Sequence, residues 1–485
     1  LGAHVRHRVA QIREEPLRHA LLRVPQRHAE VHARRPVQPV QVPPPVAHEV
    51  HHAIDVELVR RERDHPQRIA EHPQHRLVRR GVEVERGVDA VYLHRTNRVG
   101  YKAGALEEGL EVAKGDLIAV FDADFIPEPQ FVRQIVGHFQ DPKVGMVQTR
   151  WGHLNREATV LTKVQALMLD GHHLVENRAR YGAGLLFNFS GTGGMWRRDA
   201  IQEAGGWQHD TLTEDLDLSY RAQLKGWKFI YRGDVVSPSE LPENVSALRA
   251  QQFRWAKGTV QTARKLLKTV LSSNISFSQR LEAFFHLTPH FAYPLLVTLS
   301  VLLLPALVLM PATDTLTMII VDMPLCVATT GSLAAFYMHA EAAQGRKRLG
   351  AITRLPMLIA LGTGLAPHLS KAVFDGLRHM AGEFVRTPKD GVNKGRYHAR
   401  TDLPFLETAL CLMSFAASVA SIQTGHYFAT PFAILFTVGY GYVSMLVAHE
   451  QAARRQAAAR VLTTSSDRDS DAAAPAEAPV SKLAA

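Results

Sequence analysis

At 485 residues the chain is long enough for one sizeable catalytic domain and a second structural region. Its 56 Lys and Arg against 46 Asp and Glu leave a formal charge of +10, which suits nucleic acid, an anionic membrane surface or phosphate-bearing substrates. The two cysteines, Cys326 and Cys411, both lie in apolar runs and exclude a disulfide framework or a Cys-based zinc site.

Residues 1–91 contain no Phe, Trp, Tyr, Lys, Ser, Thr, Asn, Met or Cys. A segment without aromatics makes a poor core, so it reads as a disordered basic arm, or, over about 1–63, as an out-of-frame translation of a GC-rich gene. Its many histidines have no consistent spacing and are not read as a metal site. No apolar h-region of a signal peptide follows the start.

Residues 92–285 change character. Leu117–Phe121 is a short apolar run ended by acidic residues, as a buried parallel strand would be. A helix is predicted from Glu128 to Phe139 and a second strand over Lys143–Gln148. Alternating strands and helices imply an open, mostly parallel α/β sheet, whose ligands bind beyond the carboxyl ends of the strands. Asp122 and Asp124 fall at such an end.

Residues 286–448 hold apolar runs of spanning length at about 287–310, 316–339, 404–422 and 426–448. A fifth run, about 355–372, is flanked on both sides by Lys and Arg. Both flanks should face the cytoplasm, so this run is expected to lie along the membrane surface. The loops at 311–315 and 423–425 carry no Lys or Arg and are expected outside. The expected location is the cell's inner (plasma) membrane, multi-pass, with residues 92–285 cytoplasmic. Residues 449–485, rich in Ala, Ser and Asp, read as a disordered tail.

Three motifs carry chemistry. In Asp122-Ala123-Asp124, two carboxylates one residue apart can hold Mg²⁺ or Mn²⁺ through hard oxygens, although aspartates also end strands as solvated turns. In Thr213-Glu214-Asp215, Asp215 can act as a general base; the plain alternative is a helix start capped by Thr213, with Glu214, Asp215 and Asp217 on the dipole. In Gln251-Gln252-Phe253-Arg254-Trp255, Arg254 can pair with diphosphate oxygens and Trp255 can offer a face to a sugar ring. The alternative there is a helix face with Phe253 buried and Arg254 solvated.

In this order, just before a membrane region, the three resemble the D-x-D, T/E-E-D and Q-x-x-R-W series of family 2 processive glycosyltransferases, the cellulose-synthase-like group. Tyr101–Leu106 resembles that family's K-A-G-A/N-L donor segment, and Ser190–Gly194 its small-residue segment near the acceptor. Gly205-Gly206-Trp207 also fits, and Phe384–Lys389 resembles the gating loop, with Arg386 where the pattern has Val. The resemblance covers about residues 88–448. It implies a GT-A-like domain followed by transmembrane helices, and an inverting transfer from a nucleotide sugar to a growing β-linked polysaccharide. It assigns Asp215 as base; Lys102, Asp122 and Arg254 to the donor diphosphate; Asp122 and Asp124 to the metal; and Glu214, Gln251 and Trp255 to the acceptor. UDP-glucose is the first expected donor and GDP-mannose the second. The expected partners are a glycan acceptor and the bilayer, not nucleic acid. No D-D-x or D-G-S segment precedes Tyr101, so the family's first strands, half its donor site and its N-terminal membrane helix are not expected in residues 1–91. The competing readings are single transfer to a lipid acceptor, a dead truncated product, and a transporter or scaffold. The transporter reading sits poorly with spans whose main ionisable groups are Asp322 and Glu407.

Overall fold

A computed structural model of the chain describes residues 77–78, 91–312, 314–383 and 404–472. Both the anomalous segment up to residue 76 and the gating-loop resemblance at 384–389 lie outside them. Strands β1 (Leu77–Val78) and β2 (Tyr92–Leu93) form a small antiparallel ladder apart from the central sheet. The catalytic region then runs α1 (Tyr101–Val112), β3 (Leu117–Val120), α2 (Phe131–Ile135) and β4 (Val144–His153). Helix α3 (Val160–Gly171) passes through a π turn at His172–Glu176 into α4 (Asn177–Gly182). After it come β5 (Gly194–Arg197), α5 (Arg198–Glu203), α6 (Glu214–Leu224) and β6 (Lys228–Ser239).

The central sheet has the order β3-β5-β4-β6. Strands β3, β4 and β6 point the same way, but β5 lies antiparallel between β3 and β4, so only β4–β6 pairs in parallel. The expectation of a mostly parallel sheet is corrected on this point: the sheet is mixed in its pairing. The physical cause is β5, four residues entered from a glycine-rich turn, which needs no crossover helix to sit antiparallel. The helix predicted over Glu128–Phe139 is shorter, Phe131–Ile135, and tightens into a 3₁₀ turn at Val136–Gln140 that contains Gly137. Beneath the sheet, Trp196, Trp207, Phe187, Phe189, Phe229 and Met146 pack into one core with the buried face of α1.

Helix α7 (Val245–Ser272) carries the Gln251–Trp255 motif, and α8 (Phe277–Leu287) follows. The membrane region comprises α9 (Ala292–Leu309), α10 (Met323–Ala342), α11 (Leu349–Arg378), α12 (Phe405–Gln423) and α13 (Thr430–Ala472). Among the described residues, five helical stretches, α11 among them, are long and apolar enough to cross a bilayer. Helix α11 differs from the others in its surroundings. Half of its most apolar window is buried, and it packs on α7 and α13 through Leu355, Leu358, Leu361, Leu365 and Leu369. Near its start Arg354 lies 3.5 Å from Glu341, which also pairs with Arg156 beyond β4 at 3.0 Å. Near its end Asp375 pairs with Lys257 of α7 at 2.7 Å. The C-terminal end of α11 therefore meets α7 directly, and its start reaches the catalytic region only through Glu341 of α10.

Candidate active site

The three motifs and Lys102 converge at the carboxyl end of β3. Lys102 is brought in by α1, whose start needs a close turn: a Cβ on Gly104 would lie 2.3 Å from the Val99 carbonyl oxygen, so only glycine fits there. The Lys102 ammonium sits 2.8 Å from Asp122 Oδ1 and donates to the Gly191 carbonyl at 2.8 Å. The Asp122 backbone N–H donates to Thr192 Oγ1 at 2.9 Å, which ties the strand end to the small-residue turn. Gly191 has φ +82°, and a Cβ there would stand 3.0 Å from Asp215 Oδ2. The Ser190–Gly194 turn and the Asp215 carboxylate thus leave no room for a side chain between them, although Gly191 and Asp215 are 24 residues apart in sequence.

Asp215 lies in the first turn of α6, with Glu214 before it and Asp217 after it, where the helix dipole favours negative charge. Thr213 stands at the N-cap position but does not cap with its side chain; its hydroxyl lies 3.1 Å from that of Thr262. The plain capping account of Thr213 is thereby corrected: packing of α6 on α7 draws the hydroxyl away. The Asp215 carboxylate accepts instead from the Leu216 N–H at 2.9 Å. Burial, and then the Glu214 charge, push the Asp215 pKa up to about 7 against the pull of Lys102. Burial works against the Lys102 ammonium, but Asp122, Glu214 and Asp215 together outweigh it and hold its pKa above the ordinary value.

Arg254 is not the solvated side chain of the plain reading. Burial lowers its pKa, while Glu214, Asp122 and Asp215 act on it in the opposite sense. It therefore faces the same acidic group as Lys102. Phe253 goes the other way and packs with the membrane-side core, its ring 5.1 Å from His368 of α11. Trp255 is half-buried against Ala166, Leu169 and Leu241, and Gln251 is half-buried one turn earlier on the same face. The structure thus brings together Lys102, Asp122, Glu214, Asp215 and Arg254, while Trp255 packs toward α3, with Gln251 one turn before it on α7.

Asp124 is half-buried two residues beyond Asp122. Among the described residues no three acidic, His or Cys side chains converge as a closed metal cage. Two carboxylates at a strand end, beside a lysine and an arginine suited to phosphate, fit a hard divalent cation that completes its shell with substrate oxygens and water. A cavity of about 100 Å³ beside the cluster is walled by Tyr101, Lys102, Thr211 and Glu214, and by Ala381 and Gly382 beyond α11.

Sequence reading overlooked the support of the small-residue turn. Gln148, fully buried on β4, donates to the Thr192 and Gly193 carbonyls at 3.2 and 3.0 Å and accepts from the Ser190 N–H at 2.8 Å. The Trp151 indole N–H donates to the Thr192 carbonyl at 3.2 Å, and Phe125 meets its ring edge-on at 5.4 Å. A glutamine inside an apolar strand and a tryptophan at its carboxyl end were the available signals.

The family model for glycosyl transferase family group 2 matches residues 117–338, which include all three motifs. Glucomannan 4-beta-mannosyltransferase 1 of Cyamopsis tetragonoloba is 31% identical over 391 residues, 75% of this chain and 72% of that protein. The chain is a family 2 glycosyltransferase of the cellulose-synthase-like group. Glucomannan 4-beta-mannosyltransferase 2 of Arabidopsis thaliana is 39% identical over 248 residues, 48% of this chain and 46% of that protein's length. Among solved structures, a Pyrobaculum calidifontis mannosyltransferase in complex with GDP-Man and Mn²⁺ aligns with 20% identity and a TM-score of 0.39, covering 61% of this chain and 72% of that one. As a family 2 glycosyltransferase the protein is a membrane-bound, inverting enzyme: a GT-A-like α/β domain followed by helices of membrane-spanning length.

Proposed function

We propose that this glycosyltransferase extends a β-linked, mannose-containing polysaccharide from GDP-mannose, with its catalytic face in the cytosol. The observation that carries this reading is the meeting of Lys102, Asp122, Glu214, Asp215 and Arg254 in one electrostatic cluster. Two cations beside three carboxylates match a reaction that releases a diphosphate and removes a proton. The relatives are named mannosyltransferases, which moves the donor from UDP-glucose, the first expectation, to GDP-mannose.

In this reading Asp215 takes the proton of an acceptor hydroxyl as that oxygen attacks the anomeric carbon from the face opposite the leaving group. The bond to the diphosphate breaks in the same step, so the configuration inverts. Lys102 and Arg254 receive the growing negative charge on the departing diphosphate. Asp122 and Asp124 would hold Mg²⁺ or Mn²⁺, which neutralises phosphate charge when bound. Glu214, Gln251 and Trp255 are assigned to the acceptor side.

For topology, the reading is four spanning helices, with α11 lying in the membrane interface. It rests on the Lys and Arg that flank α11 on both sides and on the pairing of its C-terminal end with Lys257 of α7. Residues 1–91 as a separate anomalous segment remain part of the same reading; of the expected disordered tail, residues 449–472 instead continue α13, and 473–485 lie outside the described residues.

The test is radiolabel transfer by membranes containing the full chain, with GDP-mannose and UDP-glucose compared, followed by linkage analysis. Incorporation of mannose into a β-1,4-linked polymer is expected. Label arriving only from UDP-glucose, or only in a lipid fraction, would overturn the donor or the acceptor respectively.

A further inference from the structure

The base-bearing segment and the wall of the cavity beside it belong to different parts of the chain, and one side chain joins them. Gln261 lies on α7, ten residues past the Gln251–Trp255 motif begins, and is fully buried. Its Oε1 accepts from the Leu212 N–H at 3.0 Å, three residues before Asp215. Its Nε2 donates to the His379 carbonyl at 2.8 Å and to the Ala381 carbonyl at 2.7 Å, just beyond the end of α11. The amide thus uses one acceptor and both donors on backbone groups of two separate segments. Only a side chain with both functions at this length satisfies all three.

The turn it holds is conformationally costly. Ala381 has φ +57°, a region that residues with a Cβ seldom occupy. Its N–H donates to the Asp210 carbonyl at 2.8 Å, so the turn and the 210–212 segment also bond directly. Close packing of α7 on this segment leaves little slack: a Cβ on Gly258 would lie 2.8 Å from the Thr213 nitrogen. Ala381 and Gly382 form part of the wall of the cavity that Lys102 and Glu214 also line.

We propose that Gln261 is a positioning residue which sets the base-bearing segment and the α11-terminal wall of the donor cavity in one register. This rests on Asp215 being the base and on the cavity beside Lys102 taking the donor. A shift of about 1 Å in either segment would misalign the attack, and misplacement of that size can cost roughly 10²-fold in rate.

The experiment uses the full chain in membranes with Gln261→Met, Gln261→Glu, Ala381→Pro and Asp215→Asn. Single-turnover transfer and equilibrium donor affinity are measured with whichever of GDP-mannose and UDP-glucose supports wild-type transfer, alongside the thermal midpoint. Gln261→Met should lower both rate and affinity. Gln261→Glu keeps the acceptor for Leu212 but loses both donors, so affinity should fall more than rate. Ala381→Pro cannot adopt the positive φ and lacks the N–H to Asp210, yet leaves Gln261 in place; it should weaken donor binding. A purely structural contact would lower the thermal midpoint while the folded enzyme keeps wild-type rate and affinity, and that result overturns the proposal. Wild-type affinity in folded Ala381→Pro overturns the cavity-wall half of it even if the Gln261 variants fail to fold. If Asp215→Asn retains full transfer, the base assignment fails instead, and the two failures are told apart.

Discussion

Asp215 is a carboxyl whose surroundings favour its neutral form. Burial and Glu214 favour its neutral form, and Lys102 and the Leu216 N–H favour its charge, with a pKa of about 7 as the outcome. A general base must be unprotonated to act, so the transfer rate should be at its plateau above pH 7 and fall as pH drops through that value. A pH profile of single-turnover rate tests this, and a rate that stays flat down to pH 5 argues against Asp215. Asp215→Asn should lower the rate by about 10²–10⁴-fold while donor affinity is retained, because the diphosphate contacts lie on Lys102 and Arg254. Asp124→Ala should abolish Mg²⁺- or Mn²⁺-dependent transfer and leave the membrane helices folded; full activity of that variant in chelator would remove the metal assignment. The acidic and basic members of this cluster were legible in the sequence because each is a charged residue in a motif placed at a strand end or a helix start. The roles of Gln148 and Gln261 were not, because an amide inside a strand or helix can mark a buried polar contact but not its partners, 44 and about 120 residues away. Trp255 marks the opposite limit. The motif identified it, but only the fold shows its ring half-buried against α3.

Among the elements, α7 links the two halves of the molecule. Its 28 residues present Arg254 to the acidic cluster, Phe253 to the membrane-side core and Gln261 to the segment before α6. Hydrophobic periodicity locates such a helix, and no pattern of spacing states which of three neighbours each face meets. The mixed pairing of β5 was hidden for a related reason: four residues after a glycine-rich turn have no direction of their own. Helix α11 is where sequence and geometry inform each other most. Its length and apolarity allow a span, whereas its charged flanks and the pairing of its C-terminal end with Lys257 of α7 favour the interface. If α11 lies in the interface, single cysteines at Lys347 and Met380 should both be shielded from an impermeant thiol reagent added outside. A cysteine at Ala312 should react, all in a background with Cys326 and Cys411 replaced. Reaction at exactly one of the two α11 flanks would make α11 a fifth span.

At the scale of the whole molecule, the catalytic region is fastened to the membrane helices by buried charge. Asp170, fully buried on α3, pairs with Arg156 at 2.5 Å and with Arg346, in the α10–α11 connection, at 2.8 Å; His153 stands 3.5 Å away. Glu341, near the end of α10 and 1% exposed, takes Arg156 at 3.0 Å and Arg346 at 2.9 Å. Burial alone would raise the Asp170 pKa, but His153 and Arg156 hold its carboxyl well below the usual range, so it is charged at neutral pH. Asp170 is shared by two arginines and Glu341 by three, with Arg354 at 3.5 Å, and Arg156 and Arg346 each meet both carboxylates. Removing one member leaves its partners buried without compensation, which is the costly way to disturb such a network. Asp170→Asn should therefore destabilise the protein by about 3–5 kcal/mol, the range for breaking a buried pair. Arg346 is one-third exposed, and its loss can be relieved by water, so Arg346→Met should cost distinctly less. Thermal midpoints in detergent or nanodiscs give the order directly. Because Asp170 touches none of the Lys102, Asp122, Asp215 or Arg254 side chains, surviving folded Asp170→Asn enzyme should keep wild-type donor affinity. Equal midpoints for the two variants would mean that the junction is held by the apolar contacts of α11 with α7 and α13, with the ion network contributing little.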